Sequence, residues 1–210
     1  LDNSSQSIEL GRSRITKPVK YGISDRKFFP GIDPAEYLDR LFESSADFIQ
    51  WREGGLGSSV NRAIVKRGVE FAREKSRLFI VNSDFDLAVE EEADGFHLKS
   101  NQDLPSVLDR IGGRRSGMIV GKSAHSQEEA ITAEAEGADY ITLSPIFEPY
   151  SKETDHGLLG LTKLRSVAQI LTIPVFALGG VDYSRMGVVC AAGAAGIAGT
   201  TWINTEISPD

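Results

Sequence analysis

Four short segments of this chain share one pattern. ESSADFIQ, EEEADGFHL, AEGADYITL and CAAGAAGIAG each close a helical stretch, take an Ala-Asp or Ala-Ala step, and enter an apolar run. The shared alanines are Ala46, Ala93, Ala138 and Ala194. A weak recurrence of this kind marks a repeated structural unit. Each interval holds two apolar runs and two helical stretches, so the repeat predicts that the second, fourth, sixth and eighth strands of a closed barrel are equivalent.

The rest of the chain fits that frame. Eight apolar runs can be read, at 19–24, 47–53, 77–82, 95–99, 117–123, 140–146, 174–180 and 196–202, with seven amphipathic stretches between them. Strands alternating with helices imply parallel pairing. An open doubly wound sheet is the competitor, but it carries a G-x-G-x-x-G fingerprint after its first strand, and none follows here. The expected fold is therefore an α/β (β/α)8 TIM barrel, one domain over residues 16–210, preceded by a flexible tail over residues 1–15. Only INTEISPD follows the eighth run, so the last helix is expected to be missing. Either the chain is cut short, leaving apolar surface between the first and seventh helices, or the tail or a partner subunit covers the gap, the latter in a homo-oligomer. The first residue is Leu1, from which a longer or processed natural chain is expected.

Composition narrows the function. Thirty acidic against 23 basic residues give a net charge of -7, which repels nucleic acid and anionic membrane. No run approaches the roughly 18 apolar residues of a membrane span. Cys190 is the single cysteine, so no internal disulfide or cysteine metal site can form, and a cytoplasmic setting is expected.

In such barrels chemistry sits at the carboxyl ends of the strands. The LGGVD loop places Gly179 and Gly180 after the seventh run, and AGTTW places Gly199, Thr200 and Thr201 at the end of the eighth. Each glycine alone could merely permit a turn. Together the two loops suit a phosphate, because bare amides and hydroxyls can bond a dianion there. Arg52, Lys122 and Lys152 follow the second, fifth and sixth runs, where they could converge on a second anion. Arg52 stands out, since a guanidinium in a buried strand requires an anionic partner. His97 reads as a hydrogen-bonded core or rim residue, His125 as part of a turn before a helix capped by Ser126, and His156 as a loop residue.

Taken in register, IQWRE, FIVNSDFDLA, ADGFHL, VGKSAHSQEEAITAEAEGADYITLSPIF, IPVFALGGVD and AAGAAGIAG resemble the thiamine phosphate synthase and thiazole tautomerase superfamily. The resemblance implies a transferase that joins a hydroxymethylpyrimidine diphosphate to a thiazole phosphate and releases diphosphate. It implies small phosphorylated substrates and Mg2+. By the same resemblance Gln50 contacts the pyrimidine and Asn82 the metal–diphosphate region. Arg52, Ser123 and Lys152 hold the diphosphate, with Ser151 as the remaining hydroxyl before that lysine. Gly180 and Thr201, with Gly179 and Thr200 beside them, take the thiazole phosphate.

The sequence also departs from the pattern. Ser83 stands where the synthases carry a metal-binding Asp, which leaves Asp84 and a displaced Asp103 as the candidate magnesium ligands, and Gly54 replaces a basic residue. The tautomerase branch uses a His after the sixth strand, and here that position is Pro145, which carries no transferable proton. An isomerase, or a non-catalytic binder of thiazole or thiamine phosphate, are the alternative readings.

Overall fold

A computed structural model describes residues 18–112, 117–148 and 157–208, with the backbone of β1 (Ile8–Leu10) and β2 (Ser13–Ile15). These first two strands form a small antiparallel hairpin in the segment expected to be a tail. The barrel follows. Its strands are β3 (Val19–Ile23), β4 (Phe48–Trp51), β5 (Leu78–Asn82), β6 (Gly95–Leu98), β7 (Ile119–Ala124), β8 (Tyr140–Leu143), β9 (Val175–Leu178) and β10 (Gly196–Gly199). All pair in parallel, and β10 pairs with β3 to close the ring.

The helices are α1 (Pro34–Glu43), α2 (Ser58–Lys75), α3 (Phe85–Glu90), α4 (Leu104–Ile111), α5 (Gln127–Ala135), α6 (Gly160–Ile170), α7 (Tyr183–Ala191) and α8 (Thr201–Glu206). Several start at side chains that accept the first free amides. Asp33 accepts from Ala35 and Glu36, Ser126 from Glu129, and Asp182 from Ser184 and Arg185.

The repeat has a physical cause. Ala46, Ala93, Ala138 and Ala194 are all buried at the foot of the barrel. The aspartate after each of the first three turns back to a neighbouring strand: Asp47 accepts from the amide of Lys20, Asp94 from Phe79 and Asp139 from Val120, at 2.9, 2.8 and 2.8 Å. Strand pairs β3–β4, β5–β6 and β7–β8 are thus stitched by a carboxylate. In the β9–β10 pair Ala195 takes that place.

Two apolar layers result. One lies between sheet and helices, and a smaller one fills the cylinder. Inside, Tyr21, Phe48, Tyr140 and Phe176 meet edge to face with ring centroids 5.5 to 5.8 Å apart. Burying each such ring stabilises the fold by about 1.5–3 kcal/mol. Gly121 makes room for this plug, because a Cβ there would lie 2.1 Å from Cζ of Tyr140 and 2.5 Å from Nδ1 of His97.

The last helix is present, which corrects the expectation that it is missing. β10 stops at Gly199, and Thr201–Glu206 form the short α8. Six residues are too few to display a helical period, and the apolar, β-branched run GIAGTTW reads as one strand. Trp202 and Ile203 are buried, and the Trp202 ring packs on Tyr183 at 5.2 Å. Tyr37 of α1 donates to Asn204 Oδ1 at 2.6 Å, and Asn204 donates to the carbonyl of Thr200 at 2.7 Å. Glu206 accepts from the amide of Ser45 at 2.8 Å. The gap between α7 and α1 is therefore closed by the chain itself.

Candidate active site

The carboxyl ends of the strands surround a cavity of about 1520 Å³. Gly179, Gly180, Gly199, Thr200 and Thr201 line one side of it, and Arg52, Ser123 and His125 also face it. Gly179 and Gly180 take positive φ, 89° and 61°. Their close neighbours leave no space for a side chain: a Cβ on Gly180 would lie 2.3 Å from the carbonyl oxygen of Glu148, and one on Gly179 2.8 Å from Cα of Pro145. Both glycines are therefore required by the backbone as well as suited to an anion.

Four cations, Arg26, Lys27, Arg52 and Lys99, and two carboxylates, Asp25 and Glu53, line the cavity. Among the described residues the rim thus carries a surplus of two positive charges, although the whole chain is at -7. That focuses anions into the mouth. Arg52 lies one residue beyond β4, and its half-exposed side chain reaches Asp25 at 3.5 Å. It is thus a rim group with a loosely held partner instead of a guanidinium buried in a strand. Glu53 is tighter: it accepts from the amide of Arg26 at 3.1 Å, and burial raises its pKa.

Beneath the mouth runs a continuous hydrogen-bonded chain. Asn82 Nδ2 bonds Ser83 Oγ at 3.0 Å, Gln50 Nε2 bonds Asn82 Oδ1 at 2.7 Å, and Tyr21 Oη bonds Gln50 Oε1 at 2.6 Å. The two phenols of Tyr21 and Tyr140 meet at 2.7 Å, His97 Nδ1 lies 3.1 Å from Tyr140 Oη, and His97 Nε2 lies 2.9 Å from Ser123 Oγ. Gln50, Tyr21, Tyr140 and His97 are all buried. Burial, assisted by the charge of Arg52, lowers the His97 pKa to about 3, so the ring is neutral. Burial likewise holds both phenols well above their ordinary range.

The residues expected from sequence divide into groups. Arg52, Ser123, Gly179, Gly180, Thr200 and Thr201 share the cavity wall, while Gln50 and Asn82 lie under it in the chain just described. Ser151, Lys152 and His156 lie outside the described residues. Lys122 does not join Arg52. Side chains alternate along β7, so with Ser123 turned inward Lys122 points out to Glu136, which it meets at 2.8 Å. His125, read from sequence as a turn residue, precedes the Ser126 cap and also faces the cavity, with Nδ1 donating to the carbonyl of Ser144 at 2.9 Å. Sequence reasoning did not single out Tyr21, Tyr140, Arg26 or Glu53. Strand alternation was the available signal for the two tyrosines.

Asp84 and Asp103 cap α3 and α4. Asp84 accepts from the amide of Leu87 at 3.1 Å, and Asp103 accepts from Ser106 through both its amide, at 3.4 Å, and its hydroxyl, at 2.5 Å. Neither belongs to the cavity wall, and among the described residues no three His, Cys, Asp or Glu side chains gather as a metal site would need. Magnesium asks for near-octahedral oxygen ligation anchored by one or two carboxylates. The described residues do not provide that set.

A closed parallel barrel with paired glycine loops after its last two strands and a cationic rim defines the phosphate-handling (β/α)8 barrels. Within that class the match is specific. Residues 20–203 match the thiamine monophosphate synthase family, and the chain belongs to it. It is 38% identical over 182 residues to an Aquifex aeolicus protein that provisionally bears the name thiamine-phosphate synthase 2, covering 87% of this chain and 95% of that one. It is 35% identical to the thiamine-phosphate synthase of Methanocella arvoryzae, covering 85% and 83% of the two chains. Among solved structures it is similar to a thiamine phosphate pyrophosphorylase from Pyrococcus furiosus, with a TM-score of 0.76, 28% identity, and 90% and 92% of the two chains covered. The named relatives are transferases of thiamine biosynthesis.

Proposed function

We propose that this chain joins a hydroxymethylpyrimidine diphosphate to a thiazole phosphate and releases diphosphate, in a cytoplasmic setting. The observation that carries the reading is one cavity whose wall holds both the Gly179–Gly180 and Gly199–Thr201 loops and, beside them, Arg52 and Ser123. In this reading the glycine amides and Thr201 take the thiazole phosphate. Arg52 and Ser123, with Lys152, which follows β8 in the sequence, take the diphosphate. Gln50 positions the pyrimidine. The carbon–oxygen bond between the pyrimidine methylene and the diphosphate breaks, both electrons leave with diphosphate, and the thiazole nitrogen bonds the methylene. Cations fixed at the rim stabilise the leaving charge, and one shared cavity holds the two reactants at bonding distance. Magnesium goes with the family, but Asp84 and Asp103 cap helices and stand off the cavity wall, so in this reading the chain's own contribution to charge stabilisation falls to its arginines and lysines.

The test is diphosphate release from the paired substrates, followed with and without magnesium. Thiamine phosphate formed together with diphosphate supports the reading. No turnover with both substrates present overturns it, and tight binding of thiazole phosphate under those conditions would make the chain a non-catalytic relative.

A further inference from the structure

The hydrogen-bonded chain beneath the mouth has a direction. Gln50 Nε2 gives its proton to Asn82 Oδ1, so Gln50 Oε1 is the acceptor for Tyr21. A phenol has one proton, so Tyr140 must donate to Tyr21. Tyr140 is then an acceptor towards His97, whose proton sits on Nδ1. The lone pair on Nε2 remains, and Ser123, at 2.9 Å against 3.4 Å for the Thr142 hydroxyl, is the nearer donor to it. Ser123 therefore presents only lone pairs to the cavity, the wrong polarity for an anionic oxygen.

Every link can also be made in the opposite sense. Ser123 then donates to the anion, His97 Nε2–H donates to Ser123, Tyr140 donates to Nδ1, and Tyr21 donates to Tyr140. The turned amide of Gln50 donates to Tyr21, and the turned amide of Asn82 donates to Gln50 while accepting from Ser83. Hydroxyls rotate, two amides turn over and one imidazole proton changes nitrogen. Each group keeps its number of protons, and the charge of the chain is unchanged.

We propose that His97 is a positioning residue which sets the donor direction of Ser123, and that an anion bound at Ser123 reverses the whole chain as far as Gln50 and Asn82. Occupancy at the diphosphate end thereby presets the amide of Gln50, 2% exposed and under the floor, before the other end of the substrate is read. This inference rests on the anion site of the proposed function. A neutral imidazole is a condition for it, since a doubly protonated ring has no reversible sense, and burial keeps His97 neutral.

The experiment uses the full chain labelled with 15N at its histidines, with the His97 signals identified by their loss in His97→Gln. Two-bond 1H–15N spectra are taken without ligand and at saturation with inorganic diphosphate, saturation being established by calorimetric titration. The expected result is an Nδ1–H tautomer in the free protein and an Nε2–H tautomer in the complex. The side-chain amide signals of Gln50 should shift at the same time, and in Tyr140→Phe, where the chain is cut, they should stay in place while diphosphate still binds. An unchanged tautomer at proven saturation, or Gln50 signals that move equally in Tyr140→Phe, overturns the coupling alone. Absence of diphosphate binding overturns the anion site and the reversal with it.

Discussion

Neutral His97 makes the fold acid-sensitive by an amount that follows from its surroundings. Its folded pKa is about 3, against 6.5 for an ordinary imidazole, because burial and Arg52 both oppose a second proton. Between those values the unfolded chain binds a proton at this residue and the native chain does not. Stability contributed by His97 is therefore complete above pH 6.5 and is lost as pH falls towards 3. Each pH unit is worth about 1.4 kcal/mol, so lowering the pH from 6.5 to about 4.5 removes roughly 2.7 kcal/mol through this one group. Stopping near pH 4.5 keeps most carboxylates ionised. The assay is urea unfolding at a series of pH values for the native sequence and for His97→Asn, which keeps polar atoms in the site without a titrating ring. The stability difference between the two proteins should shrink by about that amount across the window. His125 and His156 are common to both proteins and cancel. Parallel profiles would refute the assignment of a neutral, protonation-resistant imidazole to the barrel interior.

Three further outcomes follow from the geometry. Gly180→Ala forces a side chain onto positive φ and into the Glu148 carbonyl, so it should cost roughly 1–3 kcal/mol and reduce thiazole phosphate affinity at least about tenfold by titration calorimetry; unaltered affinity would detach the loop from phosphate. Asn204→Ala leaves the buried Tyr37 hydroxyl without its acceptor, and a loss of about 1–3 kcal/mol is expected in urea unfolding, with no loss counting against α8 as a structural closure. Ala195→Asp supplies the carboxylate that the fourth repeat lacks and should raise stability by about 0.5–1.5 kcal/mol, whereas destabilisation would show that the four foot positions are not equivalent.

The strands were legible because each is a short apolar run between turn residues, and the Ala-Asp steps recorded the barrel's internal symmetry before any contact was known. The loops after β9 and β10 could also be read, since two glycines in LGGVD, and Gly199 ahead of two threonines, mark where backbone must stay bare. Reading was poorer where one residue type serves two purposes. An aspartate after a strand is equally a metal ligand and a helix cap, and Asp103, immediately before Leu104 and Pro105, turned out to be a cap. Lys122 could have been set aside from strand alternation alone, given an inward Ser123. Tyr21 and Tyr140 are 119 positions apart, and no local pattern says that their hydroxyls meet. That pairing depends on the stagger of strands around the cylinder, a property of closure as a whole.

Of the four strand pairs that the repeat sets up, three are riveted at the foot by an aspartate, and the fourth, β9–β10, which has Ala195 there, carries both glycine loops at its crown. A dianion seated across those loops would clamp the unfastened pair from above, as the carboxylates fasten the others from below. In this barrel a bound phosphate would then be a part of the masonry as well as a passenger, and the staves it touches would be those with the most rigidity to gain.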